Sequence, residues 1–229
     1  CGSHRGLDAV DLGVAQGLTL VLIGPSGCGK STLLAVMGGA ERLDAGTIET
    51  GDAVQIGFLS QHGSEFDPEE NVFDTFSDSD YVWIGDMRYH KRDYLAQFLF
   101  DRDDLKAKVK TLSGGQHRRL RIAKLVAKNA NFLVLDEPTN SLDLASLHAI
   151  EERFREFEGC ILVVSHDRFF LNRICNTIVA FEGEELVRYD GDYDYYREHR
   201  ERMLEASPPP DDGETVESEP SSTADEKSK

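Results

Sequence analysis

Gly24-Pro25-Ser26-Gly27-Cys28-Gly29-Lys30-Ser31 is the stretch whose reading decides the fold of this chain. An apolar run over residues 18–23 precedes it and reads as a buried strand. Thr32-Leu33-Leu34-Ala35-Val36-Met37 follows and reads as the opening of a helix. Strand, glycine loop and helix in that order are the context that the pattern G-x-x-x-x-G-K-[ST] needs in order to bind phosphate. Gly24, Gly27 and Gly29 leave backbone N–H groups free to point at phosphate oxygens, with Pro25, Ser26 and Cys28 between them. Lys30 would reach the β- and γ-phosphates, the Ser31 hydroxyl would ligate Mg²⁺, and Thr32 continues the cradle. The helix N-terminus adds partial positive charge where the anion would sit.

The 229 residues are enough for one well-cored domain, and 40% hydrophobic with 29% charged residues is an ordinary globular composition. No apolar run approaches the roughly 20 residues that cross a bilayer, and no secretory signal opens the chain. The expectation is a cytoplasmic protein with no direct membrane insertion. Cys1, Cys28, Cys160 and Cys175 lack metal-ligand spacing and read as thiols in a reducing compartment. The opening Cys1-Gly2-Ser3-His4 has no initiator methionine and reads as a truncation point.

A net charge of −17 argues against broad nucleic-acid binding, but the charge is unevenly spread. Residues 62–86 hold eight acids and no Lys or Arg, whereas residues 87–128 hold twelve Lys and Arg against four acids. Either the two blocks pair internally, or the second offers a basic face to a polyanion such as RNA. Composition leaves both open.

Along the chain, residues 10–12 and 46–49 read as short edge strands, and 55–60 as a strand ending at Gln61. Residues 91–100 carry apolar side chains at helical spacing. Residues 65–128 then form a helical lobe inserted between strands of an α/β core. Residues 132–135 and 160–164 are continuous apolar strands, buried on two faces as in a parallel sheet, with a helix over 144–156 between them. Residues 177–181 and 186–189 flank Glu182-Gly183-Glu184-Glu185 as a hairpin, and 193–205 form a charged helix. The expected domain is 1–206. Residues 207–229, with Pro208-Pro209-Pro210 and a run of Ser, Asp and Glu, form an acidic tail too polar to offset the entropy of ordering.

A phosphate loop needs a carboxylate for the metal, and Asp136 closes the second apolar strand where one is required. Glu137, one residue on, could orient and deprotonate an attacking water. Leu112-Ser113-Gly114-Gly115-Gln116 is a second potential anion-binding helix start. One nucleotide has no evident use for two such ends from the same chain.

With this pentapeptide the sequence resembles the ATP-binding cassette (ABC) superfamily. The resemblance implies an α/β P-loop fold with a parallel core sheet, an antiparallel β edge and an inserted α-helical lobe. Gln61 matches the glutamine that ligates Mg²⁺, Ser141-Leu142-Asp143 matches the D-loop, and His166 matches the switch histidine at the γ-phosphate. The implied catalytic residues are Glu137, His166 and Lys30. Ser31, Gln61 and Asp136 are the implied metal ligands, with ATP and Mg²⁺ as cofactors. ATP on residues 24–32 of one cassette would be covered by residues 113–116 of a second.

The runs Asp136-Glu137-Pro138-Thr139-Asn140-Ser141-Leu142-Asp143 and Ser165-His166-Asp167-Arg168-Phe169-Phe170-Leu171, with the ending Tyr189-Asp190-Gly191-Asp192-Tyr193-Asp194-Tyr195-Tyr196, look like the ABC-F class. That class implies action on the ribosome in translation; the alternative is the ATP-binding subunit of a membrane transporter. Ser141 stands where the class usually has His, and Gln116 where it has Glu. The class also carries two cassettes in one polypeptide, so a single cassette is expected to be one half of it, the C-terminal one. No aromatic residue precedes residue 7 to stack on adenine, so the base is implied by the resemblance alone.

Overall fold

The computed structural model describes residues 10–61, 66–76, 79–183 and 185–206. The acidic tail at 207–229 lies outside the described residues, as do residues 1–9. Six strands form the main sheet: β1 (Thr19–Ile23), β2 (Ile56–Leu59), β5 (Phe132–Asp136), β6 (Cys160–Val164), β7 (Thr177–Glu182) and β8 (Glu185–Tyr189). Their order is β2-β5-β6-β1-β7-β8. The first five are parallel, and β8 folds back antiparallel on β7, Glu182 opposite Glu185, with Gly183 at φ +67° in the turn. Between β2 and β5 lie the hairpin β3 (Tyr81–Ile84) and β4 (Met87–His90), then the helices α2 (Lys91–Ala96) and α3 (Gly114–Ala127). The core helices are α1 (Lys30–Met37), α4 (Leu144–Arg155), α5 (Arg168–Ile174) and α6 (Tyr193–Ala206).

Alternation along the central strands explains the layers. Leu20, Leu22, Phe132, Val134, Leu162 and Val164 face one side and pack with Leu33 and Leu34 of α1. Val21, Leu133, Leu135, Ile161 and Val163 face the other and pack with residues of α3, α4 and α5. A strand apolar at every position has both faces covered, as a parallel sheet requires.

Three local expectations are corrected. Residues 10–12 and 46–49 form no strands. Val10, Leu12 and Val14 do pack against the α1 side of the sheet, but the chain there has no ladder partner among the described residues; Ile48 is exposed and Gly46, at φ +97°, turns the second segment. The helix expected over 91–100 ends at Ala96. Leu99 adopts φ +58°, and the Arg119 guanidinium donates to Phe98 O at 2.6 Å and Leu99 O at 2.7 Å, supplying from α3 the partners that a longer helix would have used internally. The lobe also holds the β3–β4 hairpin as well as helices. Tyr94 ties α2 to α3 through a 2.6 Å bond from its hydroxyl to Ala123 O, and burial pushes that phenol well up.

Candidate nucleotide site

The carboxyl ends of β1, β5 and β6 deliver the site residues to one edge of the sheet, where open parallel sheets place ligands. After β1 the 24–31 loop turns through Gly27 at φ +79° and Gly29 at φ +97°, conformations that disfavour a Cβ. Gly24 is tight for another reason. A Cβ there would lie 2.8 Å from Phe181 Cβ and 2.9 Å from Cys28 Sγ. Gly29 caps α1 with no side-chain bond, so the helix opens with its first N–H groups unclaimed by a cap. Lys30 is buried, and its ammonium donates to Gly24 O and Pro25 O, both at 2.8 Å. The side chain is thereby held across its own loop.

Ser31 Oγ stands 3.4 Å from Asp136 Oδ1, joining loop and β5 across 105 positions of sequence. Glu137 follows at φ +49°, an uncommon conformation for a side chain of its size. Its N–H is taken by Val164 O at 2.9 Å, and its Oε2 accepts from His166 N at 3.3 Å. Oε1 is buried and accepts no hydrogen bond; His166 Nε2 lies 3.4 Å from it, out of hydrogen-bonding line. Burial raises the Glu137 carboxyl above its ordinary range, against the opposing pull of His166 and with Asp136 adding to the rise. A carboxylate raised in this way and lacking a donor at one oxygen is suited to take a proton.

His166 is exposed, 76% at the side chain. Its turn is fixed from below: Ser165 Oγ bonds Thr139 Oγ1 at 3.1 Å and accepts from Asp167 N at 3.1 Å, while Asp167 caps α5. Gln61 is exposed, just past β2, whose Leu59 pairs with Leu135; it therefore follows the strand beside Asp136 and Glu137.

Residues 113–116 sit apart from this group. Ser113 Oγ accepts from Gln116 N and Gln116 Oε1 from Ser113 N, a closed capping box on α3. Gln116 Nε2 also donates to Asp104 Oδ1 at 2.8 Å. A Glu at this position would set two carboxylates together, which accounts for the amide. A Cβ on Gly115 would meet Ser141 O at 2.8 Å, so this glycine admits the D-loop backbone. Ser141 itself is at φ +66°, and Asp143 closes the turn by capping α4. No hydrogen bond or ion pair among the described residues joins 113–116 to the 24–31 loop.

Sequence reasoning missed three side chains. Arg118, Arg119 and Arg121 of α3 are all buried, which their charge alone does not suggest. Arg118 donates to Ser60 O and Arg121 approaches Ser60 Oγ at 3.4 Å, bracing the residue before Gln61. Burial lowers the Arg118 pKa while Asp136 and Glu137 oppose that shift, so its charge is felt at the site. Only the third dimension could reveal this. A cavity of about 1200 Å³ opens instead at the amino ends of β2, β5 and β6, lined by Ala53, Ile56, Phe132 and Cys160, and holds none of these residues.

The ABC transporter family matches residues 7–140. The Energy-dependent translational throttle protein EttA of Escherichia coli K12 is 38% identical over 207 residues, which are 90% of this chain and 37% of EttA. ATP-binding protein Uup of the same organism is 37% identical over 198 residues, 86% of this chain and 31% of Uup. The chain thus spans about a third of the length of these curated relatives. Among solved structures, the crystal structure of the complex of archaeal ribosomal stalk protein aP1 and archaeal ribosome recycling factor aABCE1 aligns with a TM-score of 0.63. The identity there is 25%, covering 86% of this chain and 39% of that one.

Proposed function

The chain belongs to the ABC transporter family, a family of ATPases, and from that premise we propose that it is one cassette of an ABC-F-type, translation-associated enzyme of the cytoplasm. It binds ATP with Mg²⁺ on residues 24–32 and hydrolyses it when a second cassette closes over the site. The observation that carries this reading is the Glu137 carboxylate: raised, buried at Oε1 without a donor, and next in sequence to the carboxylate that meets Ser31.

The residues present suit Mg²⁺. Ser31 and Asp136 already converge, and with Gln61 they make an all-oxygen set small enough to leave positions for phosphate and water. Among the described residues no group of three or more His, Cys, Asp or Glu forms a separate metal cluster. Bound there, the ion would neutralise phosphate charge. Lys30 and the loop amides hold the phosphates. Glu137 orients a water and takes its proton at Oε1, and His166 steadies charge at the γ-phosphate. Residues 113–116 act on the other cassette's nucleotide. Exposed Leu144 and Phe169, 68% and 82% accessible, flank the D-loop and the switch histidine and support a face that meets a partner.

The second cassette is intramolecular in this reading, consistent with the longer relatives, and the ribosome is the target, by likeness to a translational throttle protein. Among the described residues no helix is long and apolar enough to cross a membrane. The full-length polypeptide carrying Glu137→Gln should sediment with ribosomes in ATP and be released without it. Sedimentation with membranes, or with ribosomes equally in the absence of ATP, would overturn the proposal.

A further inference from the structure

The twelve Lys and Arg of residues 87–128 do not form one basic face. Lys91, Arg118, Arg119 and Arg121 are buried. Lys108 and Lys110 both bind Glu69, at 2.8 and 2.5 Å, and Lys124 lies over the Phe66 ring. Of the remaining five, Arg88, Arg92, Arg102, Lys106 and Lys128, three lie together. Arg92, Arg102 and Lys106 are exposed, pair with no carboxylate among the described residues, and line one groove of about 470 Å³ with Asn71, Phe73 and Asp74. The Asp74 carboxylate is engaged by the Asn71 amide at 3.1 Å.

From that groove a row of rings leads onto the hairpin. Phe73 lies 6.4 Å from His90, and His90 lies 5.5 Å from Tyr81. The Arg88 guanidinium sits 4.5 Å above the Tyr81 ring and is paired across the hairpin with Trp83. Tyr81 and Trp83 are 40% and 54% exposed. They share one face of β3, about 7 Å apart, roughly twice the 3.4 Å repeat of stacked nucleotides. A base drawn out of a stack would fit the Trp83 ring and a second the face of Tyr81 that Arg88 leaves uncovered, while their backbone phosphates meet the groove cations.

We propose that the β3–β4 hairpin face and the Arg92–Arg102–Lys106 groove form a binding strip for single-stranded RNA. Rings supply sequence-tolerant stacking, and cations in a neighbouring channel track the backbone, the division of labour that unpaired strands require. A duplex keeps its bases stacked and offers only phosphates. An anionic membrane would be favoured by a contiguous apolar patch, whereas here cations interrupt the rings. Asp80 and Asp86 stand at the ends of β3 rather than among its ring-bearing positions; nearer the groove, Asp93 follows Arg92, and Asp101, Asp103 and Asp104 flank Arg102, Asp101 accepting from the N–H groups of Asp103 and Asp104 and Asp104 from the Gln116 amide.

This inference rests on the RNA-associated reading above for its partner class, yet it is tested without ATP or ribosomes, so either can fail alone. Trp83 is the only tryptophan of the chain, and its emission reports stacking directly. Titration with an oligouridylate about ten nucleotides long should quench it. Anisotropy of the same labelled oligonucleotide should fall in affinity about tenfold with Tyr81→Ala or Trp83→Ala. Replacing Arg92, Arg102 and Lys106 together by Ala should lower the slope of log affinity against log salt by about 2. Lys108→Ala with Lys110→Ala, already paired to Glu69, should change that slope little. Unchanged melting temperatures would establish that the variants fold. Absence of binding, binding indifferent to these substitutions, equal binding of duplex RNA, or binding to phosphatidylserine vesicles instead of RNA would each overturn the proposal.

Discussion

Two helix starts in this molecule look alike in sequence, each a serine-and-glycine turn before a helix, and they differ in how their first N–H groups are used. At α1 the cap is Gly29 with no side-chain bond, and the Lys30 ammonium is folded back onto the loop carbonyls. At α3, Ser113 and Gln116 close the end on themselves, Asp104 holds Gln116, and the Ser141 carbonyl fills the space beside Gly115. In the proposed function the open end holds the phosphates of a nucleotide bound to its own chain. The capped end has Ser113 N and Gln116 N paired within it, and in the proposed function it acts on a nucleotide held by another cassette. Binding and completion of the site are therefore separable by mutation.

The largest expected effect falls at the carboxylate beside the open end. Glu137→Gln should lower ATP turnover by the full-length polypeptide by about 10²–10⁴-fold while leaving ATP binding intact, measured by phosphate release beside equilibrium binding. The same change should raise the melting temperature at neutral pH. The Glu137 pKa is raised by burial, so the stability linked to its protonated form is full below the ordinary carboxyl value and is lost as pH rises through the raised one. The advantage of Gln should shrink on acidification and vanish below about pH 4.

The glycines sharpen the contrast next. Gly115→Ala drives a Cβ to 2.8 Å from a backbone oxygen, so it should cost about 1–3 kcal/mol in urea unfolding and displace the D-loop. Gly27→Ala meets no neighbouring atom. Its cost is the left-handed backbone alone, about 1–2 kcal/mol, with the damage falling on phosphate binding instead. Smallest is Gln116→Glu. Setting a carboxylate against Asp104 should lose about 1 kcal/mol at neutral pH and recover as the pH falls and one of the pair protonates, which a pH series of unfolding curves would reveal.

Much of this was legible in the sequence because the central strands are apolar at every position and the motifs close them. Asp136, Glu137 and His166 arrive together since β5 and β6 are neighbours in the sheet. What stayed hidden depends on who packs against whom. Helical periodicity could not reveal that Arg119 ends α2, or that Arg118 and Arg121 turn inward to Ser60. Residues 10–12 place apolar Val10 and Leu12 against the sheet, but a strand also needs a partner, and among the described residues none pairs there. The preference for Gln at 116 becomes intelligible only with Asp104 beside it.

The separation of the two helix starts is tested most directly by calorimetric titration of MgATP into the isolated 229-residue chain as wild type, Lys30→Ala and Ser113→Ala. Loss of the charged contacts should weaken binding by about 2 kcal/mol, roughly 30-fold, in Lys30→Ala, whereas Ser113→Ala should bind as the wild type does. Equal losses in the two variants, or full affinity in Lys30→Ala, would contradict a site divided between one cassette that holds the phosphates and another that completes it.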